Sequence, residues 1–492
     1  MADGAATATA TGSVETIRTR VPARLDRLPW ARWHWLVLIG LGTVWILDGL
    51  EVTIVGAIGA RLQEGGALGL SASQLGQAGT AYVLGACCGA LFFGYLTDRL
   101  GRKRLFMVTL VVYLLATVGT AFAGSFAWFA AFRFLTGLGI GGEYAAINSA
   151  IDELIPARVR GWVDLAVNGS FWIGAAFGAA LTGILLDTSI FRTDLGWRLG
   201  FGLGALLAIG IMLIRRYLPE SPRWLMVHGK ADEAEALVSE IEETVQEQTG
   251  RRELREPDQE IEIHQRESTG FIDIGRTLFK KYPRRFFLGL ALMGTQAFLY
   301  NAVLFNFSGL LTGFFGVGDS VAGLYLVPFG IANFLGALML GRLFDTFGRR
   351  PMITATYFIG GIGMLVDGYL IANTGASVGV FVGVICLTFF FASAAASSAY
   401  LTVSEIFPLE TRAMAIALFY AIATGIGGAI GPLYYGKVVD GGNPDAVFVA
   451  FAITAALMCI AAAVEWMFGL PAEQKHLEEI AEPLSAESVE ST

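Results

Sequence analysis

Charge is what this sequence most conspicuously lacks. Asp, Glu, Lys and Arg make up 15% of it, where an ordinary globular domain has roughly 25%. Without those charges, long apolar runs remain, and runs of 18 or more residues read as transmembrane helices. Cysteine is scarce too. Cys87, Cys88, Cys386 and Cys459 all fall inside apolar runs, with neither metal-ligand spacing nor a disulfide framework. None of the four histidines falls at helix mid-depth, which argues against a histidine relay. No basic face with interleaved aromatics appears, so nucleic acid is not an expected partner. No nucleophile–base pair or metal cluster appears either, so neither an enzyme nor a cofactor is expected. Residues 1–32 contain no apolar core of a cleavable signal, so they are expected to form a cytosolic tail.

What is abundant is apolar: 54% of the chain is hydrophobic, with 62 glycines and a mean hydropathy of +0.60. Twelve spans are expected, near 33–60, 74–96, 105–123, 127–150, 162–186 and 197–218, then 285–307, 321–340, 352–371, 377–403, 413–435 and 446–468. The fold class is thus an all-α membrane protein with a six-helix bundle at 33–218 and a second at 285–468. Residues 219–284 form a central loop, and residues 469–492 an acidic tail. In the loop, Leu237, Ile241 and Val245 amid acids predict an amphipathic helix over 232–248. Basic residues set the orientation. Arg99, Arg102, Lys103, Arg104, Arg158, Arg160, Arg342, Arg349 and Arg350 lie in loops of one set, and the opposite set has few. The basic loops, both tails and the central loop are expected in the cytoplasm, with the chain in the cytoplasmic membrane and lipid around it.

The two halves share text. Gly94-Tyr-Leu-Thr-Asp98-Arg99-Leu-Gly101-Arg102-Lys103 after span 2 is echoed by Gly341-Arg-Leu-Phe-Asp345-Thr-Phe-Gly348-Arg349-Arg350 after span 8. Glu153-Leu-Ile-Pro-Ala-Arg-Val-Arg160 after span 4 is echoed by Glu405-Ile-Phe-Pro-Leu-Glu-Thr-Arg412 after span 10. Topology alone would explain the arginines but not the fixed glycine and aspartate spacing. An aspartate can hold a neighbouring helix terminus, and arginines form charge-assisted bonds to carboxylates. These residues are therefore expected to form a gate at the basic rim.

This repeated loop resembles the signature of the major facilitator superfamily, whose architecture is well described. Pro219-Glu-Ser-Pro-Arg-Trp-Leu225 and Arg133-Phe-Leu-Thr-Gly-Leu-Gly-Ile-Gly141 resemble markers of its sugar-porter-like branch. Gln296-Ala-Phe-Leu-Tyr300-Asn301-Ala-Val is similar to that branch's sugar-binding stretch in span 7. The resemblance implies two six-helix bundles around a central cavity that alternates between outward-open and inward-open states.

Charges at helix centres cost about 2.5–3.5 kcal/mol each on insertion scales. Asp48, Glu51, Arg133 and Glu143 are the ones that stand out. At about 1.5 Å per residue, Glu51 on span 1 and Arg133 on span 4 reach similar depths and could pair. Gly49-Leu-Glu51 looks like the stretch in which proton-coupled relatives carry the proton beside the span-4 arginine. The alternative is a static ion pair tying spans 1 and 4 together. Glu143, in a Gly-Gly-Glu-Tyr stretch, is either a second proton site or a gate residue bonded to a neighbouring helix. Two departures weaken a hexose assignment: Tyr400 stands where sugar porters have a Gly-Pro-x-x-Trp stretch, and Asn168 replaces their span-5 glutamine, followed by Trp172. Substrate contacts are expected from Asn168, Trp172, Gln296, Tyr300, Asn301 and Tyr400. Span 5 lacks the Gly-Pro motif of drug antiporters, which favours uptake. The expected function is proton-coupled uptake of a sugar, polyol or organic or aromatic acid by a monomer. A uniporter, an efflux antiporter and a non-transporting sensor of the same fold stay open.

Overall fold

A computed structural model describes residues 16–215, 218–251, 253–257, 261–264, 276–372, 375–408 and 411–481. The spans are Arg32–Gln63, Ala72–Leu100, Arg102–Ala121, Phe126–Leu154, a fifth in two segments (Arg160–Gly169 and Phe171–Leu185) and Gly196–Arg215. Spans 7 to 12 are Pro283–Phe315, Leu326–Thr346, Arg349–Ala372, Val378–Glu405, Arg412–Asp440 and Pro444–Phe468. Eleven of these are long and apolar enough to cross a membrane. Span 4 is 29 residues long and carries Arg133, Glu143, Asp152 and Glu153, which lower its hydropathy. Polar residues start several spans: Ser71, Ser125 and Ser377 each accept a backbone N–H from their own first turn. Large apolar side chains such as Leu115, Leu206, Leu387 and Leu433 point outward, where lipid would meet them.

Glycine sets the closest helix contacts. A Cβ at Gly85 or Gly137 would come within 2.1 Å of a carbonyl oxygen of the facing helix, Phe134 and Tyr82 respectively. Spans 2 and 4 therefore touch backbone to backbone, as small residues allow in lipid. Gly101 (φ 94°) and Gly348 (φ 104°) adopt backbone that other residues rarely do, and they turn span 2 into span 3 and span 8 into span 9.

Outside the spans, several described segments fold onto the basic rim. A short helix, Val21–Asp26, lays Val21 and Leu25 against the helix Ala231–Thr249, and Arg24 pairs with Glu242 at 2.6 Å. That second helix buries Ala234, Val238, Ile241 and Val245. Strand Thr16–Thr19 pairs antiparallel with Ile261–His264. The acidic tail 482–492 lies outside the described residues.

Candidate functional site

Two polar regions stand out: one at the basic rim, one in the interior.

At the rim, the repeated motifs form two matched clusters. Arg102 bonds Glu153 at 2.8 Å, and Arg349 bonds Glu405 through two nitrogens at 3.0 Å each. Two-point guanidinium–carboxylate bonding fixes direction as well as distance. Asp345 reaches across to the first half. Its oxygens accept the backbone N–H of Gly161 at 3.1 Å and of Trp162 at 2.8 Å, in the first turn of span 5. These are orphan donors at a helix N-terminus, where a negative charge is favourable. Arg412 lies 3.9 Å from Asp152, and Arg160 lies 4.0 Å from Glu405, so two further ion pairs join the halves. Gly341 packs against Trp162 and Leu165 of span 5. Arg99 lies over the Tyr95 ring and joins none of these bonds among the described residues. The side chain of Asp98 lies outside the described residues. Gly94 lies within span 2.

The last described segment straps this rim. Glu473 accepts the backbone N–H of Arg349, and Gln474 donates to the Asp345 carbonyl, both in the second half. His476 Nδ1 lies 2.6 Å from Asp26, and Glu478 lies 3.2 Å from Arg223, both in the first half. Asp26 also faces Arg160 at 3.3 Å and Arg223 at 3.4 Å. Burial alone would raise the Asp26 carboxyl. The hydrogen bond from His476 and the charges of Arg160 and Arg223 outweigh it and hold Asp26 below its ordinary range.

In the interior, Glu51 and Arg133 meet at 2.5 Å, each 3% exposed. Arg133 also lies over the Tyr82 ring, 4.5 Å from its centroid. Asp48 pairs with no arginine among the described residues; Tyr144 and Tyr82 donate their hydroxyls to it. Tyr144 stacks on Trp45, with ring centroids 4.6 Å apart. Tyr400 and Tyr420 approach from the second half, at 5.7 Å from Trp45 and 4.5 Å from Tyr144. Four rings thus meet between the halves, beside a carboxylate. Trp45 Nε1 is buried without a hydrogen-bond partner among the described residues. An unpaired buried donor costs about 1–3 kcal/mol, which a ligand's oxygen would recover.

The expected substrate contacts fall into separate groups. Trp172 and Tyr300 lie 5.1 Å apart between the halves, and the Tyr300 hydroxyl donates to Asn333 at 2.8 Å. Gln296 lies beside the Tyr400 hydroxyl. Asn301 donates to its own helix at Ala297. Asn168 donates to Asn148 at 3.0 Å, within the first half. Glu143 faces span 3 and span 6: Thr109 lies at 3.5 Å and Arg215 at 3.7 Å. Sequence reasoning missed Trp45, Tyr82, Tyr144, Tyr420, Asp26, His476 and Arg215. An aromatic inside an apolar run gives no signal of what it faces. Arg215, last in an apolar run, reads there as a topology mark.

The family described as sugar (and other) transporter matches residues 32–483. A niacin transporter of Acinetobacter baylyi is 36% identical over 220 residues, 45% of this chain and 48% of that protein. The chain thus spans about half the length of that relative. A 4-hydroxybenzoate transporter of the same organism is 26% identical over 430 residues, 86% of this chain and 88% of that one. The solved structure of a proton:xylose symporter of the major facilitator superfamily, bound to 6-bromo-6-deoxy-D-glucose, superposes with a TM-score of 0.74 at 20% identity. It covers 91% of this chain and 98% of that one. At that identity the likeness is one of fold.

Proposed function

The chain belongs to the sugar (and other) transporter family; we propose that it is a secondary transporter that takes up a small aromatic acid together with a proton. The carrying observation is the buried Glu51–Arg133 pair beside the four-ring cluster. A proton on Glu51 releases the guanidinium of Arg133, which then neutralises the carboxylate of an incoming substrate. Proton and anion enter together, so the charge buried in lipid stays balanced, and a buried charge without a partner is avoided. The rings of Trp45, Tyr144, Tyr400 and Tyr420 offer flat faces to a planar substrate, and the Trp45 N–H offers it a donor. The names of the niacin and 4-hydroxybenzoate transporters support the same class.

The rim clusters act as the inner gate in this reading, with Asp345 holding span 5 until the halves part. The basic loops support placing this rim, both tails and the central loop in the cytoplasm.

Glu51→Gln tests the coupling in liposomes loaded with labelled benzoate-type acids or sugars, with and without a pH gradient. The glutamine mimics a carboxyl that never releases its proton. Exchange between two substrate-filled sides should persist, because it needs no deprotonation. Uphill uptake driven by the gradient should disappear, because the empty carrier cannot shed its proton. Concentrative uptake by the Glu51→Gln protein would remove Glu51 from the mechanism. Concentration of xylose and not benzoate by the unaltered protein would reject the substrate class.

A further inference from the structure

Inside the first bundle, on the side of spans 1 and 4 away from the aromatic cluster, lies a second set of buried charges. Glu143 and Arg215 are 2% and 1% exposed, and they face each other at 3.7 Å. None of the three guanidinium nitrogens of Arg215 has a hydrogen-bond partner among the described residues. The cation instead lies over the Phe106 ring, 4.3 Å from its centroid. A fully buried guanidinium left at ion-pair distance, without hydrogen bonds, is a poor structural tie. It is well suited to holding a carboxylate that is charged in one state and neutral in another.

A narrow cavity reaches Glu143 of this pair. Asp48, Tyr113, Glu143 and Tyr144 line it, and it leaves about 10 Å³ for the centre of a water molecule. That is room for one water and none for a metabolite. Tyr113 also faces Glu51. Glu51, Asp48 and Glu143 therefore form a sequence of three carboxyl groups. Glu51 is held by Arg133 of span 4, Asp48 by Tyr144 of span 4 and Tyr82 of span 2, and Glu143 by Thr109 of span 3 and Arg215 of span 6. Span 2 presents Phe93 to Gly142, the neighbour of Glu143. Tyr144 stands at the divide. Its ring faces the aromatic cluster between the halves, and its hydroxyl holds Asp48.

We propose that Glu143, positioned by Arg215, is the inner station of a proton route inside the first bundle, separate from the substrate's path between the bundles. This rests on the proton-coupled reading above. The proton leaves the Glu51 carboxyl for the Asp48 carboxylate, and Glu51 returns to its pair with Arg133. From Asp48 it crosses the one-water cavity to the Glu143 carboxylate. Once the basic rim has parted, Glu143 gives it to water there and returns to its pair with Arg215. Asp48 and Glu143 end as the carboxylates they began as, Glu51 has given up one proton, and water has gained it. Substrate couples to this route at Asp48, because a ligand against the Tyr144 ring also moves the hydroxyl that holds the carboxylate.

The test uses the full chain in liposomes, with labelled benzoate as probe and the internal pH varied. Glu143→Gln should keep benzoate binding and exchange within about twofold of the unaltered protein. Gradient-driven uptake should fall at least tenfold and lose its dependence on internal pH. Glu143→Asp should restore part of both. If Glu143→Gln does not insert, the pair Glu143→Gln with Arg215→Gln, which leaves no lone charge, takes its place with the same expectation. Unchanged uptake with unchanged pH dependence would overturn the proposal. Equal loss of exchange and uptake would overturn it too, by making the pair structural. Absence of any pH-driven uptake by the unaltered protein would instead overturn the coupled reading on which the proposal stands.

Discussion

The charged residues visible in the sequence and the neutral ones that surround them carry different information. Asp48, Glu51, Arg133 and Glu143 stand out because a charge in an apolar run is costly and therefore conspicuous. Their surroundings do not. Trp45, Tyr82 and Tyr144 cost nothing in an apolar run, so nothing in the sequence distinguishes a ring that packs from one that faces a ligand. The pairing of Glu51 with Arg133 follows from depth along two antiparallel helices. That of Glu143 with Arg215 does not, since Arg215 ends a span and reads as a topology mark. Trp45 gives a test at this scale. Its indole N–H is buried without a partner among the described residues, while its ring stacks on Tyr144. Trp45→Phe keeps a ring and removes the donor. A hydrogen bond to a charged group contributes about 1.5–3 kcal/mol, and 1.4 kcal/mol is about tenfold in affinity. Benzoate should bind the Trp45→Phe protein about tenfold or more weakly in a direct binding assay. Equal affinity would show that the N–H does not meet the carboxylate.

Among the elements, the spans were legible and the straps were not. A span announces itself by length and hydropathy, and apart from the break of span 5 at Ser170 it is the ends that shift: span 8 ends at Thr346 rather than 340, because its last turn continues through the repeated motif to present Asp345. The loop helix was legible in kind, but its buried face is centred on Val238 as well as Ile241 and Val245, with Leu237 only half covered. A short polar segment such as 470–480 shows no period, so nothing in its sequence says that it docks. Its echo is visible only in the fold. Glu473 caps the start of span 9 beside Gly348, as Glu220 caps the start of span 3 beside Gly101. The strap closes on Asp26, and the sign of its pH response follows. A carboxyl held below its ordinary range contributes in full above the unfolded value of about 3.9, and that contribution is lost only as pH falls through the lowered folded value. Asp26 is buried against Arg160 and Arg223, which keep Glu405 at 4.0 Å and Glu478 at 3.2 Å as other partners, so Asp26→Asn removes one carboxylate from each, a loss of about 1.5–3 kcal/mol. With His476→Gln in both proteins to remove the imidazole's own titration, Asp26→Asn should lower the melting temperature of detergent-solubilised protein. The difference should be constant from pH 5.5 to 8. A difference that vanishes at pH 6 would mean that Asp26 is not held low.

For the whole molecule, the internal repeat carried most of what the sequence could say. A motif that recurs at the same place in both halves predicts matched bundles, and Arg102–Glu153 and Arg349–Glu405 are the matched bonds. What the repeat cannot say is how the halves meet, because contacts across the seam join unlike residues: Asp345 to the start of span 5, Arg412 to Asp152, and Gly341 to Leu165. These contacts close the basic rim. Alternating access requires that they part in every cycle, which a reversible bond across the seam can test. A Cβ at Gly341 would lie 3.4 Å from the Cβ of Leu165, close to the 3.5–4.5 Å that a disulfide needs. The two residues belong to different halves, on spans 8 and 5. Oxidation of the Leu165→Cys with Gly341→Cys protein should therefore hold the rim shut and stop benzoate uptake and exchange alike, and a reductant should restore both. The native cysteines lie elsewhere, so oxidation of each single variant should leave transport unchanged. Full transport by the oxidised double variant, with the bond verified by mass spectrometry, would mean that spans 5 and 8 stay together throughout the cycle. The rim clusters would then be a fixed hinge, and the parting of the halves would have to be sought at the opposite rim.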